Sequence, residues 1–174
     1  MRKIVAIPNP ILSNATKPVT RFDESLRKVV REMEEILKKQ HDPEGVGLSA
    51  NQVGKNLRVA IVRLNPEEQD EIPRLLAIVN PEIVKHAKES AVEYEGCLSL
   101  LDQYGLVERA NTVTVKFQNL SGKKLTLNTS GFLARIFQHE IDHLNGKTIT
   151  EKVKGEFLTG EELEKLFQKE NGQK

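Results

Sequence analysis

Several things are scarce in this chain, and each shortage excludes something. Cysteine occurs once, as Cys97, so no disulfide can form within the chain and nothing points to an oxidising compartment. Tryptophan is absent and aromatic residues make up 5% of the 174 residues, too few for a base-stacking platform. Neither sign of charge dominates. Lys and Arg total 26 against 25 Asp and Glu, and the net charge of +1 speaks against a dedicated nucleic-acid binder. Long apolar runs are lacking too. Ile4-Val5-Ala6-Ile7 follow the basic Met1-Arg2-Lys3, but Pro8 and Pro10 break the run well short of the roughly 7–15 residues of a secretory signal. No run approaches the ~18 residues of a membrane helix. The expected setting is cytoplasmic, with no membrane and no nucleic acid as partner.

What is present suits a globular domain. A chain of this length buries roughly 70% of its unfolded surface without staples, and no repeat or low-complexity linker divides it. One domain over residues 1–174 is expected. Phe22, Leu26, Val29, Val30, Met33, Ile36 and Leu37 follow helical spacing. Thr20 and Asp23 are available as caps, and Pro43 sets an end near His41-Asp42-Pro43. Residues 45–54 read as a small-residue loop. Residues 57–64, 75–84, 92–100, 112–118 and 123–128 read as strands, with residues 65–71 a surface loop and Asn119-Leu120-Ser121-Gly122 a hairpin turn. A second helix over about 131–144 is apolar over a wide arc through Phe132, Leu133, Ile136, Phe137, Ile141 and Leu144, the mark of a buried helix. Thr159-Gly160-Glu161-Glu162 is a capping-box pattern that opens a last helix carrying Leu163, Leu166 and Phe167. The fold class expected is α+β: antiparallel or mixed strands packed around the buried helix, with helices toward both ends.

The chemistry concentrates in His139-Glu140-Ile141-Asp142-His143. Positions i and i+4 share a helix face, so both imidazoles can reach one metal ion. Glu140 sits beside them, where a carboxylate can take a proton from metal-bound water. Burying two imidazoles and two carboxylates costs several kcal/mol unless they are paired or coordinated. A catalytic site of this kind wants a third protein ligand. The pattern with a third His three residues after a Gly is excluded, because Ile149 stands there after Gly146. Glu161, Glu162 and Glu164 are downstream candidates. Cys97, within Glu95-Gly96-Cys97-Leu98-Ser99, is the other, and a thiolate suits Zn²⁺ or Fe²⁺.

Three separated segments together resemble the signature motifs of the peptide deformylase family: GVGLSANQ (45–52), EGCLS (95–99) and QHEIDHLNG (138–146). The resemblance implies a metal-dependent hydrolase that removes the N-formyl group from the formylmethionine of new polypeptides, releasing formate. A divergent paralogue acting on another N-acyl peptide is the alternative, suggested by Leu101 where a Pro is common and by the neighbouring Tyr104-Gly105. The family pattern implies Cys97, His139 and His143 as metal ligands, Glu140 as general base and then acid, and Gln52 with the Leu98 backbone N–H as oxyanion donors. It implies Gly45, Val46, Gly47 and Arg109 on the substrate surface, and helix geometry adds Phe132 and Ile136 to Val46 as candidates for the methionine pocket. Asp142 is expected to orient a ligand or to pair with a buried cation. One divalent ion is implied, Fe²⁺ by family, though Zn²⁺, Ni²⁺ and Co²⁺ suit the same ligands. Nascent formyl-Met peptides are the implied partners. The C-terminal helix mixes Glu and Lys, so its charge does not support ribosome contact.

Overall fold

The computed structural model describes residues 4–40, 44–64 and 74–171. Its elements are α1 (Glu24–Leu37), β1 (Gly47–Ser49), β2 (Val59–Arg63), β3 (Leu75–His86), β4 (Ser90–Cys97), β5 (Leu100–Ala110), β6 (Thr112–Gln118), β7 (Lys124–Ser130), α2 (Gly131–Leu144) and α3 (Gly160–Asn171). The expected α+β class is what forms. Five strands make an antiparallel sheet in the order β1-β2-β3-β6-β7, and β4-β5 form a separate antiparallel hairpin.

The period of two along β2 explains the layering. Val59 and Ile61 point to α1, into a core with Leu26, Val30, Met33 and Leu48. Ala60 and Val62 point the other way, into a core with Val113, Val115, Phe137, Ile141 and Leu144. The sheet is thus covered by α1 on one face and α2 on the other, which is why β2 reads as an unbroken apolar run. Each fully buried side chain of this kind, such as Phe137 or Leu144, contributes about 1.5–3 kcal/mol.

Helix α1 starts on Asp23, whose carboxylate accepts the Ser25 N–H at 3.0 Å, and ends at Leu37. Thr20 is not the cap, and the expected stop at residues 41–43 lies outside the described residues, as does the surface loop expected over 65–71. Helix α2 follows β7 directly and buries nine of its 14 residues. Its C-terminal carbonyls are held by distant side chains: Asn51 Nδ2 donates to His143 O at 2.6 Å, and Thr16 donates to Leu144 O at 2.9 Å from both its N–H and its hydroxyl. Gly146 closes this end at φ 74°, where a Cβ would lie 2.6 Å from the Asn14 carbonyl carbon. Only glycine meets both demands.

Two expectations are corrected. Residues 45–54 are not all loop: they hold β1 and a 3-10 turn, Ala50–Val53, because the Gly47–Ser49 backbone pairs with β2. Residues 92–100 are not one strand: β4 ends at Cys97, Leu98 and Ser99 make the turn, and β5, whose residues carry Asp102, Gln103, Glu108 and Arg109 and show no alternating signal, forms by pairing along the length of β4. No helix among the described residues is long and apolar enough to cross a membrane.

Candidate active site

Four pieces of backbone converge on one cavity: α2, the β4-β5 hairpin tip, the β1 segment with its 3-10 turn, and α3. The hairpin tip presents Cys97. Cys97 pairs with Leu100 across a tight turn at Leu98 and Ser99, and the N-terminal segment braces the turn through Ile7 N–H to Ser99 O at 2.8 Å. The same segment donates from Val5 N–H to Gln52 O at 2.8 Å, tying the two site loops together.

Helix α2 delivers His139 and His143 one turn apart. The ligand atoms of Cys97, His139 and His143 all lie within 4.8 Å of one another. Cys97 Sγ is 3.2 Å from His143 Nε2, and the two imidazole centroids are 4.9 Å apart. The downstream alternatives Glu161 and Glu162 stand on the exposed first turn of α3 and engage Lys165 and Thr159 instead.

Behind the histidines stands Glu95. Its Oε2 is 3.1 Å from His139 Nδ1, which leaves Nε2 of that ring for a ligand. Arg109 forks onto both Glu95 oxygens at 2.9 and 3.0 Å, and Arg135 Nη1 adds a third donor at 2.7 Å. Burial alone would raise the Glu95 carboxyl, but hydrogen bonds from His139 and Arg109 outweigh it and hold the group well below the usual carboxylate range. Arg109 also pairs with Asp142, so Asp142 does meet a buried cation. This network accounts for Arg109: its guanidinium is buried among carboxylates and does not line the cavity, contrary to the expectation that it faces substrate.

Glu140 is 3% exposed, and its Oε2 has no hydrogen-bond partner. Burial pushes its carboxyl up to about 7, so it can both take and return a proton near neutral pH. Gly47 makes this placement possible, since a Cβ there would sit 2.5 Å from Glu140 Oε1. Gln52 is buried and held in one orientation. Its Oε1 accepts from both the Ser49 N–H and the Ser49 hydroxyl at 2.9 Å, which turns Nε2 toward Ser99 Oγ at 3.2 Å and Cys97 Sγ at 3.7 Å.

The site's own chemistry asks for a cation. Burial favours a neutral His139, yet Cys97 and Glu95 beside it hold its pKa well above the ordinary value, while burial and the neighbouring His139 push His143 down. A sulfur and two imidazoles, converging next to Glu140 and Glu95, fit a divalent ion that replaces the proton the cluster would otherwise hold.

The cavity measures about 310 Å³. Gly45, Val46, Gly47, Leu98, Phe132 and Ile136 line it. Leu101 does not, and it is 65% exposed on β5. Sequence reasoning missed the contributions of Ser49, Tyr94, Leu163 and Phe167. Ser49-x-x-Gln52 is a capping-box pattern, and Leu163 and Phe167 stand at i, i+4. Those signals were available, but nothing local said which surface they would face.

The polypeptide deformylase family profile matches residues 1–157. Among relatives, a peptide deformylase of Mesorhizobium japonicum is 41% identical over 146 residues, covering 84% of this chain and 80% of that protein. Among solved structures, the peptide deformylase of Thermotoga maritima superposes with a TM-score of 0.80 at 36% identity, over 89% of this chain and 99% of that one. A class I type b peptide deformylase from Acinetobacter baumannii, with Met-Ala-Ser bound, gives 0.76 at 36% identity, over 86% and 96%. With its match over nine-tenths of the length, and with such relatives at this identity, the chain belongs to the polypeptide deformylase family.

Proposed function

We propose that the chain removes the formyl group from the formylmethionine end of nascent peptides, releasing formate. One observation carries this reading. A Cys-His-His ligand set comes together beside one cavity, which Cys97, His139, Glu140 with its unpartnered carboxylate oxygen and the oriented Gln52 amide all line. A single catalytic domain over residues 1–174, α3 included, would then do the work.

In this reading Cys97 Sγ and the rings of His139 and His143 hold one divalent ion, Fe²⁺ in the cell, with Zn²⁺, Ni²⁺ or Co²⁺ as alternatives of similar fit. When bound, the ion supplies Lewis acidity to the formyl carbonyl and acidifies water. Glu140 Oε2 accepts the proton of the attacking water and returns it to the leaving amine. Gln52 Nε2 and the Leu98 N–H donate to the oxyanion as it develops, and removing one such donor typically costs ~10²–10³ in rate. Glu95 orients His139, hydrogen bonds from His139 and Arg109 keep Glu95 ionised, and Arg135 adds a further donor to it. Val46, Phe132 and Ile136 offer apolar surface to the methionine side chain. Gly45 and Gly47 keep the β1 edge narrow enough for an extended peptide to lie alongside. The expected location is the cytoplasm, where the Cys97 thiol stays reduced, and the mixed charge of α3 argues against a ribosome-docking arm.

The test is formate release from formyl-Met-Ala-Ser, with acetyl-Met-Ala-Ser as control, after anaerobic purification and metal analysis. Formate from the formyl peptide, and a Cys97→Ala variant that loses both metal and turnover, are the expected results. A parent protein that carries metal but releases no formate would overturn the reading.

A further inference from the structure

Helix α3 lies beyond residues 1–157, the span of the family profile, yet it reaches the same cavity as Cys97 and Glu140. Leu163 and Phe167 stand one turn apart on one face of the helix, and both line that cavity. Core packing does not explain them. Phe167 is 46% exposed, and Phe132, across the same cavity, is 41% exposed. Large apolar side chains grouped around the mouth of one cavity, unlike apolar side chains exposed singly, mark a surface that a ligand can cover.

The helix is seated by contacts that set its position over the hairpin. Tyr104 and Leu158 exchange backbone hydrogen bonds of 2.9 and 2.8 Å. Asp102 Oδ1 accepts the Gly160 N–H at 2.8 Å, and Thr159 with Glu162 forms the capping box that starts the helix. Phe167 then meets Tyr94 edge-on, with ring centroids 6.2 Å apart. The cavity thereby gains an apolar side that β1 and α2 do not supply.

We propose that α3 is a specificity element, in which Leu163 and Phe167 form the outer wall that grips the methionine side chain of a formylated peptide. The proposal rests on the deformylase reading above. It predicts that the wall matters in proportion to the side chain that touches it.

The experiment compares formyl-Met-Ala-Ser with formyl-Ala-Ala-Ser as substrates of the full-length, metal-loaded enzyme. The parent is measured beside Leu163→Ala, Phe167→Ala and Phe167→Leu. The kcat/KM ratio of the Met over the Ala peptide should fall about tenfold in each alanine variant, the scale of a lost apolar contact. The loss should sit in KM for the Met peptide, and Phe167→Leu should restore most of it. A ratio that stays within about twofold of the parent overturns the proposal, whether both substrates weaken together or neither does. A parent that turns over both peptides while the variants keep its ratio sinks the α3 wall alone. A parent that releases formate from neither sinks the deformylase reading and the wall with it.

Discussion

Helices α2 and α3 serve the same cavity but are built on opposite terms. Helix α2 runs beneath the sheet, with nine of 14 residues buried and its last carbonyls held by Asn51 and Thr16. Helix α3 lies on the hairpin with its described side chains exposed or half-exposed, and is tied down at its first turn. In the proposed reaction the chemistry sits on the first helix, and the proposed apolar contact surface on the second. A proton-transferring carboxylate must be held to within fractions of an ångström and kept from water, which takes a packed core. A side-chain wall needs only area in roughly the right place.

Substitutions in the two helices should therefore differ in kind. The largest effect is expected for Glu140→Gln, which should lower kcat for formate release by about 10²–10⁴ while metal content is unchanged. Metal loss in that variant would mean that Glu140 holds the site together rather than moving protons. Next come the two phenylalanines. Phe137→Ala, in the core of α2, should cost about 3–5 kcal/mol in denaturant unfolding. Phe167→Ala should cost about 0.5 kcal/mol or less, as surface changes do. Similar costs would erase the contrast between the helices.

Gly47→Ala follows. The new methyl group must displace the Glu140 carboxylate, because the space it needs is 2.5 Å from Oε1. A displacement of that kind should lower kcat about 10²-fold with little change in unfolding free energy. Full activity would show that Glu140 tolerates a second position. The smallest effect is expected for Ser49→Ala. Gln52 Oε1 keeps the Ser49 N–H but loses the hydroxyl, one hydrogen bond worth about 1 kcal/mol, or roughly fivefold in kcat. Unchanged kcat would leave the backbone donor alone responsible for orienting the amide.

Much of the molecule was legible in residue order. The helical spacing from Phe22 to Leu37, the wide apolar arc of α2 and the alternation in β6 and β7 are local patterns, and each became the element it announced. The i, i+4 histidines needed only helix geometry to share a face. Strand β5 was not legible, because a strand rich in Asp, Gln, Glu and Arg forms only when a partner supplies its hydrogen bonds. The family pattern put Arg109 on the substrate surface, and nothing local in β5 shows that Glu95 and Asp142 enclose it instead.

The sequence by itself determined the reagents, namely one thiol, two imidazoles one turn apart and a carboxylate between them, because their spacing within single elements carries their geometry. Only the tertiary structure decided how those reagents meet. It closed the 41 residues of chain between Cys97 and His139 to bring three ligand atoms within 4.8 Å. It turned the Gln52 amide with Ser49, and it laid α3 against a cavity that no pattern in residues 160–171 names. Contacts between distant segments depend on the packing of the whole chain, and so they leave no periodic trace in any one stretch of it.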